Sequence, residues 1–249
     1  VYYAPRKKLA YFEYQDGRSA KGPSKLLKNY QGALQTDGYI VYEAFDKLPG
    51  ITLYGCMAHA RRKFDEAKGN DLKRTQEALF FIQKRYAIER VAKEQKLSAQ
   101  QRLAKRQLEA KPIWDKLSQW LTQEKPKVLP QSPIGKAINY LLNRSKYIQR
   151  YLQDGKIEID NNWVENQVRP IALGRKNYLF AGSERAAQAA AILYSLLGSC
   201  KQNDIDPYTW LRDVLESISE HPINTIHELL PHKWKPSSNI PAYFRWTST

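Results

Sequence analysis

Apolar and polar positions along the chain change rhythm twice. At the start, "VYYA" and "LAYFEY" are aromatic-rich runs separated by the polar "PRKK", the pattern of a β-hairpin. The polar stretch "QDGRSAKGP" follows, and Ser24 is placed to cap a short helix through "KLLKNY". "GALQTDGY" reads as a short apolar strand ending at Thr36-Asp37-Gly38, and "IVYEAFDKL" as a helical piece. "ITLYGCMAH" reads as a strand running into a basic helix, "ARRKFDEAK". The predicted order is β, β, α, β, α, β, α.

From about 70 to 150 strand signals vanish. Lys, Gln, Glu, Ala and Leu dominate, and apolar residues recur at helical spacing, as in Leu79, Ile82, Tyr86 and Ile88. This segment is expected to be an all-helical insertion broken near "EKPKVLPQSP", its charge runs forming solvated faces. After 150 the cap signals sharpen. Asp160 or Asn161 suits the N-cap of a helix that Pro170 is expected to end, and "LGRKNYLF" reads as a basic turn. Ser183 is placed to cap the Ala-rich "ERAAQAAAILYSLLGS", apolar enough to be central core. Asp206-Pro207 opens "YTWLRDVLESI", and "INTIHELL" reads as a last short helix before a loosely ordered tail.

Composition narrows the partners. The 249 residues carry 40 Lys and Arg against 25 Asp and Glu, a formal charge of +15. A surplus of that size costs self-repulsion and points to a polyanion, most often nucleic acid. No apolar run approaches the roughly 18 residues of a membrane span. No signal peptide is visible, and two cysteines, Cys56 and Cys200, fit a reducing compartment, so the expected location is the cytoplasm. The first residue is Val and opens directly into a strand-like run, which suggests a chain that begins inside a domain.

Several residues offer chemistry. Asp37 ends a strand and precedes a glycine, where a carboxylate is held rigidly and a ligand can approach the backbone; on local grounds alone a plain Asp-Gly turn is the better account. Glu165 lies one turn into the helix that follows Asp160, Asn161 and Asn162. That acidic cluster suits the free N–H groups and positive dipole of a helix start, so capping alone can explain it. Capping does not explain Arg169 one turn later, or Arg175 and Lys176, which suit phosphate oxygens beside a metal. Cys56 and His59 form a Cys-x-x-His without a second pair at ligand spacing, so structural zinc is not expected, and Arg61, Arg62 and Lys63 beside it suit a phosphate backbone.

"LQTDGY", "CMAHARRKF" and "IDNNWVENQVRPIALGRKNYLFAGS", in that order, resemble insertion-sequence transposases of the family numbered sixty-six, a bacterial DDE group. The resemblance extends to "SCKQNDIDPYTWLRDVL" and covers nearly the whole chain. It implies an α/β fold with a ribonuclease-H-like mixed sheet. Residues 1–69 and 151–200 would form its two parts, with 70–150 as the helical insertion and 201–249 as a small helical C-terminal region. It further implies acidic residues holding Mg²⁺, with Mn²⁺ as substitute, and metal-dependent cleavage and strand transfer on double-stranded DNA at transposon ends and target. A homo-oligomeric complex at the bacterial nucleoid is implied as well. Carried over residue by residue, Asp37 matches the second acid and Glu165 the third, while Cys56 and His59 are similar to a Cys-x-x-His seen after the second acid in several transposase groups. The first acid is expected on a strand upstream of the hairpin; Asp16 sits in a loop and is not its match. These 249 residues alone are therefore expected to be inactive. The alternative from another class is a non-catalytic DNA-binding module derived from a transposase.

Overall fold

The computed structural model describes residues 1–178 and 180–236, and the C-terminal tail beyond lies outside them. The chain is mostly helical and divides into two units. One comprises Val1–Arg18 and Asn162–Thr249, the other Ser19–Asn161.

In the first unit, β1 (Tyr2–Ala4) and β2 (Leu9–Tyr11) pair antiparallel, as the aromatic alternation predicts. The edge of β2 is covered by α8 (Glu184–Gln202). Ser199 Oγ accepts from the Ala10 amide at 3.1 Å, and Ser195 Oγ accepts from the Phe12 amide at 2.8 Å. Two serines one helical turn apart thus stand in for a neighbouring strand and remove an open edge. The caps read from sequence are present: Ser183 accepts from the Ala186 amide, and Asp206 from the Thr209 amide at the start of α9 (Pro207–Ser217). Trp210 and Val214 of α9 pack with Cys200 into a small core.

Two expectations are corrected here. Pro170 does not end its helix, since α7 runs from Asn162 to Tyr178 and takes in the "LGRKNY" expected as a turn. Proline removes one ladder bond, a local cost that does not by itself stop a helix. Nor is α8 central core along its length. Ile192 and Leu193 are 61% and 50% exposed, and burial is complete only at Ser199 and Cys200. Alanine-rich composition permits burial without supplying a partner.

In the second unit, β3 (Gly32–Gln35) and β4 (Ile51–Tyr54) pair parallel, in register from Gly32 opposite Ile51 to Gln35 opposite Tyr54. Among the described residues the strands form these two separate pairs. The short α1 (Lys21–Leu26) begins earlier than expected, so Ser24 lies inside it and caps nothing. A 3-10 stretch, Ile40–Lys47, fills the crossover between the strands. The chain leaves β4 at Tyr54, sooner than "ITLYGCMAH" suggests, because Gly55 turns it and Cys56 occupies the N-cap of α2 (Met57–Glu66). A Cβ at Gly55 would stand 2.7 Å from Ile148 Cγ1, so only glycine admits this approach.

The predicted helical segment consists of α3 (Leu72–Glu94), α4 (Ala99–Lys105), α5 (Lys111–Glu124) and α6 (Pro133–Gln149), with the break after Glu124 where the proline-rich stretch falls. Met57, Ala60 and Phe64 of α2 share one core with Ile82, Leu117, Leu121, Ile138, Leu141 and Ile148. Polar groups are sealed inside it. Arg106, wholly buried, forms two hydrogen bonds with Glu89 at 2.8 and 2.6 Å. Arg85, also buried, lies over the Trp114 and Tyr151 rings and donates through Nε to Tyr151 Oη.

Candidate functional site

Asp37 follows β3 by two residues. The ladder extends one step past the strand, through the Thr36 amide to the Tyr54 carbonyl at 3.0 Å, and fixes the backbone on which Asp37 stands. The side chain is exposed, and Oδ1 accepts from the Tyr39 amide at 2.9 Å. Among the described residues no cation is paired with it. Its own carbonyl accepts from Tyr140 Oη of α6 at 3.0 Å. Gly38 has φ +90, and a Cβ there would meet Tyr140 Oη and Arg144 Nε, both at 2.9 Å, so the glycine serves both conformation and close approach. Arg144 in turn lies over the Tyr140 ring and pairs with Glu43 at 2.8 Å.

Burial pushes the Tyr140 hydroxyl up to about 12, so at neutral pH it is a donor. Arg144 acts against that shift, and Cys56, Asp37 and Arg62 also act on the hydroxyl. Two stretches singled out in the sequence, around Asp37 and around Cys56 and Arg62, therefore act on one tyrosine that gave no sequence signal.

Cys56 is buried, and its Sγ accepts from the Asn161 amide at 3.4 Å. Burial pushes the thiol up to about 11, against hydrogen bonds from the Asn161 and His59 amides, so it remains a neutral packing and accepting group. Around it the segment before α7 is stapled down. The Met57 amide donates to Ile159, Gln35 Nε2 donates to the Gly55 and Glu158 carbonyls, and Tyr86 Oη donates to Asp160 Oδ2 at 2.8 Å. The Cys-x-x-His stretch and the Asp160-Asn161 pair, far apart in sequence, are thus neighbours. His59 is half-buried on α2.

Arg61, Arg62 and Lys63 are exposed on α2. Arg61 pairs with Asp65 at 3.7 Å and Lys63 with Glu66 at 3.0 Å. Exposed pairs of this kind contribute about 0–1 kcal/mol, so a phosphate can replace the carboxylate. In the other unit, Glu165 is half-buried in the first turn of α7, with Asn162 exposed before it. Arg169, Arg175 and Lys176 are exposed, the last two in the final turn, where the dipole also favours cations.

By donor chemistry, Asp37 and Glu165 fit a hard divalent cation, which takes carboxylate oxygens. Among the described residues, however, no three His, Cys, Asp or Glu side chains gather as a metal site, and the two acids belong to different units. No helix among those residues is long and apolar enough to cross a membrane.

The family model described as Transposase IS66 family matches residues 1–189, and that of the IS66 C-terminal element matches residues 195–232. The chain is 39% identical over 238 residues to an uncharacterized protein of Sinorhizobium fredii, y4hP, covering 89% of this chain and 43% of that protein. It is 37% identical over 231 residues to y4jD of the same organism, covering 89% and 45%, and 33% identical over 236 residues to y4qI, covering 91% and 43%. The chain spans less than half the length of these curated relatives. No solved structure matches it.

Proposed function

The chain belongs to the transposase IS66 family, and from that premise we propose that it is the greater part of a DDE-type catalytic region that cuts and rejoins DNA at the ends of an insertion-sequence element. The reading assigns it a ribonuclease-H-like catalytic fold, a double-stranded DNA partner, a homo-oligomeric active complex and action at the bacterial nucleoid in the cytoplasm. The observation that carries it is the family match over residues 1–189, which spans both Asp37 and Glu165.

In this reading Asp37 and Glu165 are two of three acidic ligands. The exposed Asp37 carboxylate, held at a strand end by the Tyr39 amide, presents its oxygens to a divalent ion. Mg²⁺ or Mn²⁺, when bound, supplies the charge that offsets the anionic phosphate and polarises the attacking oxygen. Arg61, Arg62 and Lys63 hold the DNA backbone beside it, and Arg169, Arg175 and Lys176 do the same along α7. Cys56, His59, Asp160, Asn161 and Asn162 are assigned to structural or active-site support.

The test is Glu165→Gln in the natural full-length protein. The amide keeps the shape and loses the charge that binds the cation, so strand cleavage is expected to disappear while folding and DNA binding stay near wild type. A Gln variant that cuts at the wild-type rate would return Glu165 to the role of a helix-end charge, worth a few tenths to about 1 kcal/mol.

A further inference from the structure

We propose that Tyr140, from the last helix of the insertion, is a positioning residue for the Asp37 carboxylate, so that the insertion belongs to the frame of the metal site. The inference rests on the reading of Asp37 as a metal ligand. Its basis is the hydrogen bond from Tyr140 Oη to the Asp37 carbonyl at 3.0 Å, across 103 residues of sequence. A carboxylate two residues beyond a four-residue strand has little to fix it on its own side. The ladder holds Thr36, the Tyr39 amide holds Oδ1, and the Asp37–Gly38 peptide is tied on its N–H side only by a long bond to Thr36 Oγ1 at 3.4 Å. Glycine at φ +90 leaves that peptide soft, and Tyr140 pins it at its carbonyl end. The tyrosine is itself held by Arg144, which lies over its ring and is anchored to Glu43. Mg²⁺ demands near-ideal octahedral geometry, so a ligand free to swing costs affinity directly. Loss of a group that orients a metal ligand typically costs about 10–100-fold in metal affinity or activity.

The experiment compares wild type, Tyr140→Phe, Tyr140→p-aminophenylalanine, Asp37→Asn and Tyr147→Phe in the natural full-length protein. It reads the Mg²⁺ concentration for half-maximal end cleavage. It also reads, without DNA chemistry, backbone scission near residue 37 by Fe²⁺ with ascorbate. Tyr140→Phe is expected to raise the half-saturating Mg²⁺ by about 10–100-fold, to recover much of the rate at saturating metal, and to weaken Fe²⁺ scission. The p-aminophenylalanine variant restores a donor and is expected to return both towards wild type, whereas Tyr147→Phe changes neither. Wild-type metal dependence and scission in Tyr140→Phe, while Asp37→Asn loses both, would overturn the inference. So would a lower maximal rate with unchanged half-saturation, or a metal dependence in the two Tyr140 variants that does not follow the donor. Full cleavage by Asp37→Asn would instead refute the reading of Asp37, which keeps the two failures distinct.

Discussion

A single buried pair illustrates how this chain depends on individual residues. Arg106 has no exposed side-chain area, and Glu89 meets its guanidinium with both oxygens. Removing Glu89 leaves the Arg106 charge buried with only the Tyr151 and Asp154 backbone carbonyls to accept from it, at a cost of about 3–5 kcal/mol. Glu89→Ala is therefore expected to lower the unfolding free energy by that amount in a denaturant titration, and a loss below about 1 kcal/mol would contradict the account. Legibility at this scale follows sequence distance. Asp37 could be singled out as a candidate from its strand, its glycine and the family resemblance. Tyr140, Arg144 and Gln35 could not, because each acts on a partner far along the chain and none has a distinctive neighbourhood of its own.

Among the elements, the caps and breaks were the most legible, since Ser183, Asp206-Pro207 and the proline-rich stretch before α6 act on their own backbone. Pro170 misled because the helix continues past a local cost, and α8 misled because composition is silent about what lies opposite. How the 3-10 stretch is tied to α6 was also invisible. Asp46 accepts from Arg150 and from Lys146, the latter at 2.6 Å, and Arg150 also donates to the Leu53 carbonyl of β4. The Arg150 hydrogen bond first, against burial, and then Lys146 hold the Asp46 carboxyl well below its ordinary 3.8, at about 2. A carboxyl whose folded value is depressed contributes stability above its unfolded value and loses it as pH falls through the folded one. About 1–2 kcal/mol, after allowance for the exposed Lys146, is thus expected to vanish between pH 3.8 and about 2. Urea midpoints across that range are expected to flatten in Asp46→Asn, and an unchanged acid limb would dismiss the tie.

On the scale of the whole molecule, charge is the plainest sequence signal. Residues 70–150 alone hold 18 Lys and Arg against 7 Asp and Glu, a net +11 out of +15. Duplex DNA binding should then fall steeply with salt, at about 0.9 log units per phosphate contact. Neutralising Arg61, Arg62 and Lys63 is expected to reduce that slope by about 2–3 units without abolishing binding, because most of the excess charge lies elsewhere. Affinity that hardly changes between low and moderate salt would sink the DNA reading of this surface. The shared core of α2 and α6 has a consequence for how the protein is made. Phe64 and Ile148 stand 84 residues apart (148 − 64). A ribosome adding roughly 5–20 residues per second needs about 4–17 s to make that interval. For those seconds Met57, Ala60 and Phe64 are outside the ribosome without the helix that covers them, so the nascent chain offers a sticky apolar face to chaperones before it has a fold.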